Sequence, residues 1–418
     1  MTAPVSASSR LTDPLAHRPR VGAPGASPTR ADPTAQDATT PPRAGWLEQA
    51  LQESLTLSYW FEAAAGGAAQ PVVVRFTGHR LGTGARTTSR DRFSQEERID
   101  SVVPGSGRVC VTTRVQGINP GDWEVSAVVV EPSASPVRPA GNRANGSAHP
   151  LHPAAWSWHS WSLSECPAGP VHTSLAPYAG IPGIVPGIWP AMLVVGVAAA
   201  LVTFARLYGP AGGTGPVVLV VIAALAAGAV GAKAWFLFLH RGRPPAQEGF
   251  FVGWTIQGFV AGVVLAVGGA ALLGAIPAGI FLDTAAPGVL FGMTSGRIGC
   301  FLAGCCGGRP TASRWGVWSS DRRIGVRRIP TQLMEAVLAG GLGVAALVFL
   351  FRVGTADGGV FAAAFATYTL VRQTILGFRA EARLSSLGPL LTAAACVVVI
   401  AGDIVLHAVG VLGFHAGA

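Results

Sequence analysis

Charge is scarce in this chain. Only 12% of its 418 residues are Asp, Glu, Lys or Arg, while 50% are hydrophobic. A soluble globular protein carries about 25% charged residues, so an ordinary soluble protein is excluded. Disorder throughout is excluded as well, because it requires low hydrophobicity and the mean hydropathy here is +0.44. The 55 Gly and 31 Pro follow no G-X-Y period, which removes collagen. Six cysteines, at 110, 166, 300, 305, 306 and 396, are too few and too scattered for a disulfide scaffold. The first 45 residues lack the apolar core of a cleavable secretory signal. Asparagine is missing after Asn145.

What charge there is divides unevenly. Residues 1–187 hold 15 of the 30 Lys+Arg and 14 of the 21 Asp+Glu, a net of +1; residues 188–418 hold 15 and 7, a net of +8. The excess positive charge therefore sits in the apolar half. A nucleic-acid binder carries it on a polar surface, so no nucleic-acid partner is expected. The pattern is instead that of loops beside anionic lipid or of loops that set membrane topology.

Five stretches follow. Residues 1–45, rich in Pro, Ala and Arg, cannot bury a core and are expected to be a disordered tail. Residues 46–135 carry four β-rich runs, Leu55–Phe61, Val72–Gly78, Val109–Val115 and Trp123–Val130, separated by Gly/Pro turns. This spacing predicts a small antiparallel sandwich with a fibronectin III or immunoglobulin-like outline. It has no catalytic constellation and reads as a binding or spacer module of unknown ligand. Residues 136–187 form a Pro-rich linker with Trp156, Trp158 and Trp161, suited to a membrane boundary or to a loop packed on the sandwich. Residues 188–410 form the apolar half, and 411–418 a short tail. The Asn145-Gly-Ser147 sequon is too short a pattern to use.

A membrane-crossing helix needs about 20 mainly apolar residues. Candidate spans are 188–207, 216–239, 254–275, 279–296, 333–352, 358–377 and 387–410. The expected fold is thus an all-α polytopic bundle of about seven transmembrane helices, preceded by a small all-β domain. Ionisable residues in or beside such spans are functional hypotheses by default. They are Lys233, Asp283, Arg297, Glu335, Arg372 and Asp403. Lys233 and Asp403 also fit structural pairing. Arg297 and Arg372 each end an apolar run with no acid beside them in sequence, and a guanidinium fork suits phosphate.

The segment 296–335 is the richest in chemistry. It opens Gly296-Arg-Ile-Gly-Cys-Phe-Leu-Ala-Gly-Cys-Cys-Gly-Gly-Arg309, carries six arginines between 309 and 328, and closes Pro330-Thr-Gln-Leu-Met-Glu335. Gly296, Gly299 and Gly304 would let backbone approach a ligand. Irregular backbone at membrane depth must be buried or line a wet cavity. A basic, irregular loop entering the bundle is expected, with a phospholipid headgroup site at Arg309 and its neighbours.

This block resembles the signature of the prolipoprotein diacylglyceryl transferases, G-R-x-G-N-F-x-N-x-E. Further pieces are similar in the same order. Phe281–Pro287 resembles the segment before the signature, and Gly231-Ala-Lys233 the Gly-Ala-Arg of the second helix. Gly253–Gly258 lies where the family has His-Gly-Gly. Pro330–Glu335 is similar to P-S-Q-L-Y-E. Tyr368-Thr-Leu-Val-Arg372 with Phe378-Arg379 resembles the late arginine helix. The resemblance spans roughly 185–410. It implies a multi-pass plasma-membrane enzyme that moves the diacylglyceryl group of phosphatidylglycerol onto the lipobox cysteine of a preprolipoprotein, without cofactor or metal. Arg297 and Arg372 would hold phosphate. Gln257, Cys300 and Cys305 stand at catalytic places, and Gly296, Gly299, Gly304, Arg309, Gln332, Glu335 and Lys233 would bind substrate.

The departures are specific. The signature asparagines are Cys300 and Ala303, its Glu is Cys305, and the family His is Gln257. With no later asparagine, no shift of register restores the pattern. A thiolate at Cys300 or Cys305 near arginines could replace a base; small apolar packing is the competing reading. The spacing Cys300-x4-Cys305-Cys306 matches no usual zinc pattern. Cys110 and Cys166 could bridge if exported. Two rival functions stay open: a catalytically inactive relative that binds anionic phospholipid and a partner, and a membrane thiol-redox protein. Topology is also open, because the positive-inside rule puts the arginine loops in the cytoplasm while the resemblance implies the outward face.

Overall fold

A computed structural model describes residues 53–82, 84, 87–131, 138–139, 149–150, 154–155, 164–165, 170–175, 180–209, 214–239, 255–355, 357–380 and 387–414. The expected N-terminal tail, Trp156, Trp158, Trp161, the Asn145 sequon and Cys166 lie outside the described residues.

The β-rich runs form long strands: β1 (Glu53–Glu62), β2 (Gln70–Arg80), β3 (Arg92–Val102), β4 (Arg108–Val115) and β5 (Asp122–Glu131). All pairings among them are antiparallel. β1 and β4 belong to one sheet, and β5, β2 and β3, in that order, to a second. Alternation sends Leu55, Leu57, Tyr59 and Phe61 of β1 inward, against Val72, Val74 and Phe76 of β2 and Trp123 and Val125 of β5. The period of two thus gives each sheet one apolar face, and the two faces bury each other. β3 was not among the expected runs. It is an edge strand whose residues alternate Gln95, Glu96, Glu97 and Arg98, and charge on an edge hides a strand from an apolar reading.

All seven apolar segments are helical: α1 (Ile188–Tyr208), α2 (Thr214–Leu239), α3 (Ile256–Leu272), α4 (Ala278–Ala303), α5 (Thr331–Arg352), α6 (Gly359–Ile375) and α7 (Leu387–Ala408). Four of them, α1, α2, α5 and α7, are long and apolar enough to cross a membrane. Small residues set the helix pairs. A Cβ on Gly231 of α2 would fall 2.3 Å from the Gly258 carbonyl oxygen of α3, and one on Gly288 of α4 would fall 2.6 Å from that of Ala200 in α1. Such backbone-to-backbone contact is how helices associate in lipid. Asp283, an ionisable residue singled out from sequence, has a structural place. Fully buried in α4, it accepts the Gly358 and Phe361 N–H groups at 3.1 Å each and caps α6, where the helix dipole favours a negative charge. Asp403 lies one turn from His407 in α7, 3.6 Å away.

The arginine-rich segment after α4 is not one irregular loop. Val317–Ser320 (β6) and Ile324–Arg328 (β7) form a hairpin. Asp321 builds its turn, accepting the Arg323 and Ile324 N–H groups at 3.0 and 2.7 Å, an Asx-type arrangement. β7 then pairs antiparallel with β4, Ile324 opposite Val111 and Gly325 opposite Cys110. A hairpin from the helical half therefore completes the sheet of the N-terminal domain. Val326 enters the sandwich core. Trp318 stacks on Trp60 with centroids 5.5 Å apart and donates its indole N–H to the Arg108 carbonyl at 3.1 Å. Arg323 pairs with Glu97 at 2.8 Å. Cys110 is a free thiol in this seam, its pKa pushed up to about 12 by burial.

Candidate active site

Four elements converge on one carboxylate. α5 begins at Thr331 and places Glu335 within its first turns, wholly buried. Its Oε2 meets Arg297 Nη2 of α4 at 2.8 Å, Arg372 Nε of α6 at 3.2 Å and the Tyr368 hydroxyl at 3.1 Å. Its Oε1 meets Arg379 Nη2 at 3.2 Å. Tyr368 and Arg372 are one helical turn apart and so share a face of α6. Arg379 follows the short 3-10 turn Leu376–Phe378. Three guanidiniums around one carboxylate give these side chains a net charge of +2. The Arg297, Arg372 and Arg379 side chains are 20%, 30% and 11% exposed, while Glu335 shows no surface. The arginines can therefore meet an anion. Glu335, expected from sequence to touch substrate, is enclosed and holds the arginines in place.

Beside this hub lies a cluster of thiols. Cys300 is in the last turn of α4, one turn after Arg297. Gly304 ends the helix in the left-handed conformation, φ +69°, and the chain turns back so that the Cys305 N–H reaches the Cys300 carbonyl at 3.0 Å. A side chain at Gly304 is refused twice, by this φ and by the Ser320 carbonyl oxygen at 2.6 Å from its ideal Cβ. Cys306 then takes a positive φ of 59°, unusual for a residue with a side chain. The sulfurs of Cys300, Cys305 and Cys306 all lie within 4.8 Å of one another. Bonds from the Cys300 and Cys305 thiols, then the charges of Arg379 and Arg297, hold the Cys306 pKa well below the usual thiol range, while the bonds with Cys300 and Cys306 push that of Cys305 up, so Cys306 and not Cys305 is the thiolate of the set. The loop is pinned from α5. Gln332 Nε2 donates to the Cys305 carbonyl at 2.9 Å and Thr331 Oγ1 to that of Cys306 at 3.4 Å. Arg322, in the hairpin turn, donates Nε to the Ala303 carbonyl at 3.0 Å, so the seam with the sandwich also steadies the end of α4.

The other expected residues are placed as follows. The exposed Arg309 is tied to the end of α6, its N–H to the Phe378 carbonyl at 2.9 Å and its guanidinium to the Gly377 carbonyl. A Cβ on Gly296 would meet nothing within 4 Å, whereas one on Gly299 would press Met192 Cβ of α1 at 2.8 Å. Gly296 is open to a ligand and Gly299 serves helix packing. Gln257 is exposed in the first turn of α3, and no hydrogen bond joins it to the hub among the described residues. Lys233 lies in α2 with its ammonium 5.5 Å from the Phe236 ring centroid. Gln257 and Lys233 flank the contact between Gly231 and Gly258. Two functional groups had no role from sequence, Tyr368 and Arg379. Both lay inside motifs already quoted, and the signal that would have found them is the acid at Glu335 within an apolar run, whose two oxygens both need donors when buried.

Residues 184–409, just over half of the chain, match the family model of the prolipoprotein diacylglyceryl transferases. The chain belongs to the prolipoprotein diacylglyceryl transferase family. The hub and the thiol loop lie inside the match, and the sandwich strands β1–β5 lie before it. Among named relatives, the phosphatidylglycerol–prolipoprotein diacylglyceryl transferase of Dehalococcoides mccartyi is 35% identical over 89 residues. That alignment covers 20% of this chain and 34% of the relative, so the chain matches about a third of the relative's length. The family is named for a transferase acting on prolipoproteins, and the four long apolar helices fit a membrane protein.

Proposed function

We propose that this protein, a multi-pass protein of the plasma membrane, transfers the diacylglyceryl group of phosphatidylglycerol to the lipobox cysteine of a preprolipoprotein. The observation that carries the reading is the hub of Arg297, Arg372 and Arg379 around buried Glu335. Bringing three guanidiniums together is unfavourable unless an acid fixes them and an anion completes them. A phosphodiester headgroup supplies that anion.

In the reaction the acceptor sulfur, as thiolate, attacks the glyceryl carbon that bears the phosphate ester. The S–C bond forms and the C–O bond breaks. The electron pair leaves on the phosphate oxygen of glycerol phosphate, and the thiol proton passes to that phosphate or to water. Arg297 and Arg372 hold the phosphate and stabilise the charge that grows on it, with Arg379 as the third cation. Gly296, open to contact, lets the headgroup approach α4. Gln332 and Arg309 hold the loop that faces the lipid, and Gln257 with Lys233 lie on the α2/α3 side. Cys300 and Cys305 replace the family's polar residues beside the acceptor sulfur.

The test is a transfer assay with purified protein, phosphatidylglycerol vesicles and a lipobox peptide, read by mass spectrometry. A diacylglyceryl mass gain that falls at least 100-fold with Arg297→Ala is expected, about 3 kcal/mol of transition-state stabilisation. A second reading is a relative that binds anionic phospholipid without transfer. Gln257, Cys300, Ala303 and Cys305 at the family's His, Asn, Asn and Glu places motivate it. It gains if phospholipid binds in an Arg297-dependent way and no peptide gains mass.

A further inference from the structure

The spacing of Cys300, Cys305 and Cys306 argued against a metal, yet the fold brings the three sulfurs together. The helix end at Gly304 reverses the chain, and the positive φ of Cys306 returns its side chain to the same side as Cys300. No packing requirement explains this. The three thiols are only half-buried, yet a side-chain-bearing residue adopts a left-handed conformation and the three sulfurs converge. Strained backbone held by its surroundings is a feature of functional sites, and α5 does the holding through Gln332 and Thr331.

We propose that Cys300, Cys305 and Cys306 form a tris-thiolate site for zinc. Thiolates select soft cations, and Zn–S bonds of about 2.3 Å in a tetrahedron put the sulfurs about 3.8 Å apart. The observed spread, within 4.8 Å, is about 1 Å wider than that. Among the described residues no fourth His, Cys or carboxylate joins the group. Structural zinc sites are closed by four protein ligands, whereas catalytic ones have three and leave a position open. Three thiolates and Zn2+ sum to one negative charge, which the neighbouring cations of the hub favour.

This rests on the transferase reading for its role. A zinc ion held by these three sulfurs would supply a Lewis acid at which the acceptor thiol would lose its proton to water and stay a nucleophile, so a general base at the place of the family His would not be required. The exposed Gln257 and the cysteines at 300 and 305 thereby have one common cause.

The experiment uses tag-free full-length protein, purified in detergent with reductant, and measures zinc by mass spectrometry. One zinc per chain is expected, falling below about a tenth in Cys300→Ser and Cys306→Ser and unchanged in Cys396→Ser, whose thiol lies in α7. Thermal melting and phosphatidylglycerol vesicle binding check that the variants are folded. Cobalt in place of zinc gives a thiolate-to-metal charge-transfer band, which a lipobox peptide should shift and its serine counterpart should not. Wild-type protein that, offered zinc, holds less than a tenth of an equivalent while folded overturns the site. So does a zinc load that survives both serine variants, or a disulfide among the three sulfurs in its place. A band unmoved by the peptide, or full transfer by zinc-stripped protein, overturns the catalytic role. Zinc bound with no transfer instead sinks the transferase reading and leaves the metal site standing.

Discussion

The sandwich and the helical half are stabilised in different ways. The sandwich has one continuous core, with Leu55, Phe61, Val74, Phe76 and Trp123 at 0–1% exposure. The helices have several small clusters, joined by glycine contacts, and turn leucines such as Leu265 outward at 75% exposure. Water drives the first arrangement, since apolar area is worth about 25 cal/mol per Å² removed from it. Lipid offers no such drive between helices, so close packing and buried polar groups must specify the second. The difference teaches where each half is vulnerable: the sandwich in its large side chains, the bundle in its few polar ones.

The largest expected effect is therefore in the bundle, at Glu335. Glu335→Ala leaves three arginines facing one another, and breaking such a buried set costs about 3–5 kcal/mol. Transfer should become undetectable, and the detergent-solubilised protein should melt at a lower temperature. Retained transfer would show that the hub is not the phosphate site. In the sandwich, Phe61→Ala should cost about 3–5 kcal/mol by opening a cavity. Leu265→Ala, which truncates a side chain 75% exposed on the helical half, should change the melting of the same preparation by less than about 0.5 kcal/mol. Equal losses from the two would break the comparison.

The sequence was most legible where period and composition agree. Four of the five long strands and all seven helices lie where alternation and apolar length put them. What escaped it was charged. β3, an edge strand, is disguised by Glu96, Glu97 and Arg98, and the β6–β7 hairpin by its arginines and by a pairing partner, β4, more than 200 residues away. At the site, Arg297 and Arg372 stood out as isolated cations in apolar runs. Their meeting through Glu335 could not be read locally, since three contacts join residues 37 to 44 positions apart. Sulfur proximity was hidden for the opposite reason. It arises from a reversal at Gly304 and involves two adjacent cysteines, Cys305 and Cys306, a spacing no usual zinc pattern has.

A pH experiment sharpens the contrast within the sandwich. Asp91 sits under β2 and accepts bonds from Thr88, Asn119 and Arg80, and the Thr88 and Asn119 bonds hold its pKa well below the carboxylate range. A depressed folded pKa means that the unfolded chain binds the proton more readily. The stabilisation is complete above the unfolded value, about 4, and is lost as pH falls toward the folded one. Sandwich melting should therefore drop between about pH 4 and 2, and Asp91→Asn should lower it at neutral pH while flattening the acid slope. An unchanged slope would remove Asp91 from the cause.

The smallest effect is expected at the seam. Arg323 and Glu97 bridge the hairpin and β3 at 2.8 Å, but the arginine side chain is 65% exposed, and exposed pairs are worth about 0.2–1 kcal/mol. Arg323→Ala should thus barely move melting, with whatever change there is vanishing in high salt. The seam's strength lies elsewhere, in the β4–β7 pairing, Val326 in the core and the Trp60–Trp318 stack. Trp318→Ala removes one of these, and it should loosen the sandwich from the hairpin more than Arg323→Ala does, read as faster proteolysis between residues 131 and 180. Because Arg322 of the same hairpin grips the end of α4, a loosened seam should also lower transfer without abolishing it. If Arg323→Ala proved the more damaging of the two, the sandwich would be held to the transferase half by surface charge, and the shared sheet would be incidental to its function.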